Sequence, residues 1–538
     1  MKKITALFIT ITLLFTVLIC TGCSKSTEDL LEEAKINIPD DKYNNYYQIW
    51  IGSFCDSDND KIGDIQGIIS KLDYLNDGDD STDDDLGITG IWLSPMMPSP
   101  SYHKYDVKDY YNIDPEFGTL DDFDQLIKEC DKRGIDVIID LVINHCSNQH
   151  PWFQKALEEA EKGNFDGYAK YFNIEKAEDV FVNGYNPDPN DSNLLYESNF
   201  SDTMPEWNYD YDGTRTEMKN IAKFWLDRGI AGFRLDAVRY LYYNDYVNSS
   251  KALKNFYEDC KEIKEDVYMV GEDWSGDIAE IKGMYESGID SLFSFSFADT
   301  SGKFMSCVIS GAAYDVTDSL VNYERATHEI NKDAINCYFL TNHDMYRCAD
   351  NLTELYQKKM AAAVYMMTPG NTFTYYGEEL GMETYDEGND PAKRTAMIWD
   401  SDNLPDVTAC GIDYVTDYTD GGGVKQQLEN KDSLLNFYKE CIKIRNCNPG
   451  IARGTATALP DSFDAGDGVD GYYLTYKNDK YMVMHNLGSE KKTVEITEDL
   501  MSDYTISARL SAKDGEITID NNRLTMPAYS TIVLHSKD

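Results

Sequence analysis

Gly232-Phe233-Arg234-Leu235-Asp236 and Tyr268-Met269-Val270-Gly271-Glu272 are two apolar runs that each end in a carboxylate. Both have the length of buried strands, and a helical pattern precedes the first. Met218, Ile221, Ala222 and Trp225 recur at helical spacing, Thr216 stands as the expected cap, and Arg228-Gly229 stop the helix. The same plan lies upstream. Thr119 is expected to cap a helix whose Phe123, Leu126, Ile127 and Cys130 face inward. Lys132-Arg133 suit the negative end of that helix, Gly134 ends it, and an apolar strand follows. Strands alternating with amphipathic helices make a parallel sheet, and eight such units close into a (β/α)8 TIM barrel. The barrel strands are expected at 47–54, 90–93, 136–141, 232–235, 268–271, 291–295, 337–341 and 372–375. In such a barrel, strand-end carboxylates gather at one rim.

Working outward, a polar stretch rich in Asn, Asp, Pro and Tyr separates the third and fourth strands. It holds one helical piece over 152–162 and is longer than a connection needs, so 146–205 is expected to be an inserted small domain. After about residue 450 the pattern alternates with period two, and 472–476 and 481–484 flank a turn at Asn478-Asp479, with further strands at 524–527 and 531–534. The α/β barrel would therefore comprise 43–145 and 206–450, with a C-terminal antiparallel β-domain over 451–538.

The 538 residues carry 95 acidic against 49 basic side chains, a net charge of -46. Such a field repels nucleic acid and anionic surfaces and leaves an uncharged or cationic substrate, although acidity also serves solubility in salty surroundings. Lys2-Lys3 precede an apolar run from Ile4 to Ile19, then Cys20-Thr21-Gly22-Cys23 and a polar stretch. The run is shorter than a membrane span of about 20 residues. This order resembles a bacterial lipoprotein signal over 1–22, with Cys23 lipidated and 23–42 as a tether, although Cys20 stands where Leu is usual. The chain would then sit on the extracellular face of the cell membrane. None of the other ten cysteines forms a C-x-x-C pair, which argues against zinc ribbons, and most are expected to be buried thiols.

Arg234 and Asp236 lie two apart on one strand, so both point to the same side and the guanidinium can hold the carboxylate ionised, as a nucleophile requires. A structural ion pair at a barrel mouth would look the same. Glu272 is flanked by Asp273 and Trp274, and aromatic cover with a nearby carboxylate would raise it into the range of a general acid. Asp344 closes Asn342-His343-Asp344, and His145 closes Asp140-Leu141-Val142-Ile143-Asn144-His145, both at strand ends. Between the first two strands, Asp56-Ser57-Asp58-Asn59-Asp60-Lys61-Ile62-Gly63-Asp64 alternates acids on a tight loop. Oxygens of Asp56, Asp58, Asp60, Asp64 and the Ile62 carbonyl suit a hard cation such as Ca2+.

Asp140–His145, Gly232–Asp236, Gly271–Glu272 and Asn342–Asp344 resemble, in order, the four signature regions of the α-amylase family, glycoside hydrolase family 13. The likeness extends to Gly90-Ile91-Trp92-Leu93-Ser94-Pro95, Tyr105-Asp106-Val107, Gly377-Glu378-Glu379-Leu380-Gly381-Met382 and Arg394-Thr395-Ala396-Met397. It implies a retaining glycoside hydrolase with Asp236 as nucleophile, Glu272 as general acid/base and Asp344 as transition-state stabiliser. Tyr105, His145, Arg234 and His343 would line the subsite of the sugar to be cleaved, Asp106 and Arg394 would grip its far end, and the 56–64 loop would bind Ca2+.

Met204-Pro205-Glu206-Trp207-Asn208 resembles the fifth family region of relatives intermediate between oligo-1,6-glucosidases and neopullulanases, with Glu206 and Trp207 as departures. Trp207 is either a sugar platform or a packed residue. Ala237 after the nucleophile favours α-1,4 over α-1,6 cleavage, and Arg239-Tyr240 replace the Lys-His that many relatives use on the leaving-group side. The resemblance therefore implies an endo-acting α-amylase on starch and maltooligosaccharides. The alternatives are an exo-acting α-glucosidase or oligo-1,6-glucosidase, a transglycosylase, and a catalytically silent glycan-binding lipoprotein.

Overall fold

A computed structural model describes residues 30 and 35–537 of the chain, except 83, 181, 386, 387, 405–417, 461 and 467. The signal, Cys20, Cys23, much of the tether and Cys410 lie outside the described residues.

Three parallel strands open the barrel: β1 (Asn45–Ile49), β2 (Gly90–Leu93) and β3 (Asp136–Leu141). The stretch after β3 forms a helix (Pro151–Glu161) and a small antiparallel sheet of β4 (Ile174–Lys176), β5 (Tyr185–Pro187) and β6 (Leu194–Glu197), with β6 central. The barrel resumes with β7 (Gly232–Leu235), β8 (Tyr268–Gly271), β9 (Ser291–Leu292), β10 (Cys337–Phe339) and β11 (Asn371–Tyr375). The strands are ordered β10-β11-β1-β2-β3-β7-β8-β9, and a parallel bridge from Phe293 to Cys337 joins the two ends. Tyr46, Trp92, Ile138, Tyr268, Val270, Phe293, Phe339 and Phe373 form one of the buried apolar clusters. Their bulk requires small neighbours: a Cβ on Gly90 would lie 2.5 Å from the Tyr46 ring, and one on Gly232 would lie 1.7 Å from the Tyr268 carbonyl oxygen.

Helices cover the outside for the reasons legible in the sequence. Thr119 caps Leu120–Asp131 through a reciprocal box with Asp122, and Phe123, Leu126 and Cys130 are buried. The second expected cap is corrected. The helix begins at Asp212, so Thr216 lies within its second turn, where its hydroxyl donates to the Asp212 carbonyl. The first expected strand is also too long: β1 ends at Ile49, and Ile51–Phe54 turn into a short buried helix because Ser53 N–H bonds back to the Trp50 carbonyl. The expected strands 291–295 and 337–341 likewise end early, at Leu292 and Phe339.

Beyond the barrel lie β12 (Thr455–Ala458), β13 (Val469–Tyr476), β14 (Asp479–Asn486), β15 (Lys492–Glu495), β16 (Tyr504–Ser511), β17 (Thr518–Asp520), β18 (Arg523–Met526) and β19 (Ser530–Lys537). They form a five-stranded sheet ordered β12-β13-β14-β19-β16 and a three-stranded sheet ordered β15-β18-β17. Their inner faces enclose a separate apolar cluster that includes Met482, Met484, Ile496, Leu524, Met526 and Ile532. The hairpin turn falls at Lys477-Asn478, one residue earlier than expected, because Tyr476 pairs with Asp479. Cys130, Cys146, Cys260, Cys307, Cys337, Cys348 and Cys441 are buried thiols outside any disulfide.

Candidate active site

The backbone ladder continues one step past the barrel strands and sets the acids side by side. Asp236 N–H donates to the Leu141 carbonyl, and Glu272 N–H donates to the Leu235 carbonyl. Arg234, buried on β7, then joins them: its Nη1 lies 2.8 Å from Asp236 and its Nη2 lies 2.8 Å from Glu272. The same Nη1 lies 2.8 Å from Asp140 of β3. One positive charge thus faces three buried acids, and burial and their mutual repulsion both work against ionising all three.

The acids respond differently. Burial pushes Glu272 up to about 7, helped by the charges of Asp236 and Asp344 and opposed by Arg234. Burial also pushes Asp140 up to about 7. Asp236 rises for the same reason, with Arg234 pulling it back down, so the guanidinium restrains this rise without fully offsetting the desolvation. Asp344 goes the other way. Burial would raise it, yet His343, Arg394 and Arg234 hold it well below the usual carboxylate range. The His343 ring lies 3.0 Å from Asp344, and Arg394 Nη2 donates to Asp344 at 2.9 Å.

Around these acids stand the other residues singled out in the sequence. The Tyr105 hydroxyl meets His343 Nε2 at 2.6 Å and donates to Asp140 at 3.0 Å, and its ring stacks on His343. Gln48 Nε2 meets His343 Nδ1 at 2.7 Å, which favours the neutral ring with its proton on Nε2. His145 is buried, its Nδ1 meets Asn144, and among the described residues its Nε2 has no hydrogen-bond partner. Such an orphaned polar atom suits a bound hydroxyl. Asp106 accepts hydrogen bonds from Ser99 and Ser101, while Arg394 also bonds Tyr102 and Asp390.

On the loop after β1, Asp56, Asp58 and Asp64 bring carboxylate oxygens within 4.8 Å of one another. This donor set fits a hard divalent cation. Asp60 does not join the group: its carboxylate accepts the Ile62 N–H at 2.8 Å.

The description "Alpha amylase, catalytic domain" matches residues 48–454, and "Alpha-amylase SusG C-terminal domain" matches 469–533. The chain belongs to the α-amylase family. It is therefore a glycoside hydrolase of family 13. The chain is 33% identical to Alpha-amylase 3 of Dictyoglomus thermophilum, over 91% of this chain and 92% of that protein. It is 28% identical to the oligo-1,6-glucosidase of Bacillus cereus, over 84% and 92%. The solved structure of Eubacterium rectale Amy13B superposes with a TM-score of 0.88 at 36% identity, over 96% and 100%.

Within this α-amylase-family site, three contributors escape a reading of the sequence for strand-end acids. Asp140 bonds Arg234, Tyr105 and the Trp92 indole; it heads the first of the signature regions quoted above, but no role was read for it from the sequence. Gln48, within β1, stands in none of the quoted motifs. Trp50 stacks on His343 and lies 4.4 Å from the Arg394 guanidinium, which no local pattern announces. Trp207 is not a platform. It is 2% exposed, stacks on Phe172 and donates to the Tyr110 hydroxyl. Trp274, beside Glu272, stacks on Phe295. The causes that raise Glu272 are burial and the neighbouring carboxylates Asp236 and Asp344, the nearby acids that the sequence led us to expect.

Proposed function

We propose that the chain is a retaining, endo-acting α-amylase cleaving α-1,4-glucosidic bonds of starch and maltooligosaccharides. The observation that carries this reading is the shared guanidinium, with Asp236 on one terminal nitrogen of Arg234 and Glu272 on the other. A double displacement needs such a closely held pair, with one carboxylate as nucleophile and one carboxylic acid as proton donor. Asp236 attacks the anomeric carbon as the bond to the leaving oxygen breaks, and Glu272 gives its proton to that oxygen. Glu272, now a carboxylate, takes a proton from water as the water attacks the same carbon and the bond to Asp236 breaks, and both groups are restored. Asp344, held ionised by its neighbours, stabilises positive charge on the sugar ring. Tyr105, Asp106, His145, Arg234, His343 and Arg394 bind the sugar on the retained side.

Ala237 after the nucleophile supports α-1,4 cleavage, and the identity to Alpha-amylase 3 supports the amylase reading. We further propose that Asp56, Asp58 and Asp64 hold Ca2+. Lipidation at Cys23 as an anchor to the outer face of the membrane is supported by the charged, apolar and small-residue order of the first residues. The deciding experiment is a time course of product sizes from amylose with the chain lacking residues 1–22. Mixed maltooligosaccharides with rapid loss of iodine colour are expected. Glucose alone from the first minutes would make the enzyme an exo-acting glucosidase, and no product from amylose, maltotriose or isomaltose would favour a glycan-binding protein.

A further inference from the structure

A cavity of about 200 Å³ opens where the helix Pro151–Glu161 of the insertion meets the barrel helix Asp212–Leu226. Its walls include Lys108, Asp109, Tyr111, His150, Trp152 and Glu217, and none of the acids Asp236, Glu272 and Asp344 lines it. The buried Tyr110 divides it from the catalytic cleft. The Tyr110 hydroxyl donates to the carbonyls of Val142 and His145 at 2.9 and 2.8 Å, so one loop carries Tyr105 and Asp106 in the cleft and 108–111 in this second cavity.

Local structure fixes the polar groups around it. His150 caps its helix, with Nδ1 accepting the Trp152 N–H at 3.2 Å, so the neutral ring carries its proton on Nε2. Burial keeps the ring neutral, pulling it down to about 4. The ring is 8% exposed, stands edge-on to Trp207 at 5.4 Å and to Trp152 at 6.0 Å, and among the described residues its Nε2 has no hydrogen-bond partner. A buried N–H donor that borders a cavity and lacks a protein acceptor suits a hydroxyl of a bound molecule. The Lys108 ammonium likewise has no partner among the described residues. Acceptors stand beside these donors: Glu217 takes the Tyr111 hydroxyl on one oxygen at 2.8 Å, and Asp109 accepts the Tyr111 N–H at 2.9 Å. The rings are braced too, Tyr111 edge-on to Phe224 at 5.3 Å and Trp152 against Tyr171 at 4.8 Å.

These walls narrow the occupant. Donors and carboxylate acceptors set among aromatic rings match a molecule with apolar faces and hydroxyls that both give and take hydrogen bonds, which describes a pyranose. Two carboxylates and a net charge of -46 repel an anion, while the Lys108 ammonium and the His150 donor repel a cation. The volume is below the ~300–1,000 Å³ of pockets for larger ligands, so it suits a single ring. A glucan chain carries many such rings and can occupy cleft and cavity at once. We propose that the cavity is a second carbohydrate site, separate from the catalytic cleft, which takes one glucose unit of an α-glucan and holds the enzyme on polymeric substrate. This proposal rests on the α-glucanase reading.

The test compares initial rates on granular starch and on maltotriose, which is too short to bridge two sites, for the chain lacking residues 1–22 and its Trp152→Ala and Lys108→Ala variants. The ratio of the starch rate to the maltotriose rate is expected to fall about tenfold in Trp152→Ala, which loses a ring face, and about threefold in Lys108→Ala, which loses a hydrogen bond. Lys108 has no ion pair to break among the described residues, so Lys108→Ala decides the matter if Trp152→Ala does not fold. An active wild type whose ratio is unchanged in the folded variants overturns the second site alone. An equal fall on both substrates also overturns it, because the cavity would then act through the cleft. A wild type inactive on every α-glucan overturns the α-glucanase reading and the second site together.

Discussion

Two sets of buried acids belong to this barrel, and burial acts on both while their partners differ. At the rim, Asp140, Asp236 and Glu272 share Arg234. After β11, Glu378 and Glu379 have tyrosines instead. Tyr365 and Tyr438 donate to Glu378 at 3.1 and 2.9 Å, and Tyr47 and Tyr74 both donate to Glu379 at 2.7 Å. Arg347 lies nearby, yet it stacks over Tyr375 and Tyr376 and donates to the Tyr376 carbonyl. Burial pushes Glu378 up to about 8 and raises Glu379 as well. A raised carboxyl therefore does not by itself mark catalysis. The distinguishing feature is a guanidinium that ties two acids together at strand ends, where a substrate can reach them.

The sharpest way to break this contrast is to neutralise one acid in each set. Asp236→Asn is expected to lower kcat on maltooligosaccharides by about 10⁴-fold or more, since a lost nucleophile is not replaced by the remaining groups. Glu378→Gln should stay close to wild type in the same assay. Comparable losses in both variants would end the distinction between a working and a sealed set.

Next in size is the response to pH. Glu272 must carry its proton to act as an acid, and it titrates at about 7. The active form is thus lost as pH rises, and kcat/KM should fall about tenfold for each unit above that value. Glu272→Gln should remove this alkaline limb on an activated aryl glycoside, whose leaving group needs no proton. An unchanged limb in that variant would assign it to another group, with Asp140 the first to examine.

How much of this was legible differs between the two sets. The rim was readable because barrel geometry sends strand-end residues to one place, so Asp236 and Glu272 stood out where apolar runs stop at an acid, while Asp344, which follows Thr341-Asn342-His343, and the roles of all three came from the resemblance to the family. Asp140 and Gln48 were not, because a polar residue within a strand gives no sign of which neighbour satisfies it. The sealed set was visible only as the motif around Glu378-Glu379, since its partners at 47, 74, 365 and 438 are scattered through the chain. Strand ends were overestimated at 50–54 and 293–295, where apolar residues continue but the backbone turns into the core. Thr216 failed as a cap because a helix can start one turn earlier on Asp212, whose charge suits the helix N-terminus.

A smaller effect sharpens the sealed set. Glu378 titrates near 8 in the fold and near 4.5 when exposed, so the folded chain binds its proton more tightly between those values. Its contribution to stability is complete below about pH 4.5 and declines as pH rises through about 8. Glu378→Gln, which keeps a neutral group of the same shape, should flatten the decline of Tm between pH 5 and 8. A slope identical to wild type would show that Glu378 is already ionised and that the tyrosine hydroxyls act as an anion cage.

The loop after β1 adds a third way of keeping acids close. Among the described residues, Asp56, Asp58 and Asp64 have neither an arginine nor a tyrosine cluster; their oxygens accept loop N–H groups, including those of Ser57, Asn59 and Lys61. Those bonds leave the mutual repulsion of three carboxylates for a cation to offset. At a hundredfold excess over its dissociation constant, Ca2+ would add about 2.7 kcal/mol, or about 2–4 °C in Tm for a large domain. Chelation should therefore lower Tm by that amount in the wild type and leave Asp58→Asn nearly unaffected. Asp60→Asn separates the sequence reading from the structural one, because Asp60 belongs to the alternating pattern yet bonds Ile62 outside the three-acid group. If Asp60→Asn keeps the full chelation shift, three carboxylates suffice. If it abolishes the shift, the loop closes further around the ion and Asp60 turns in to become a ligand.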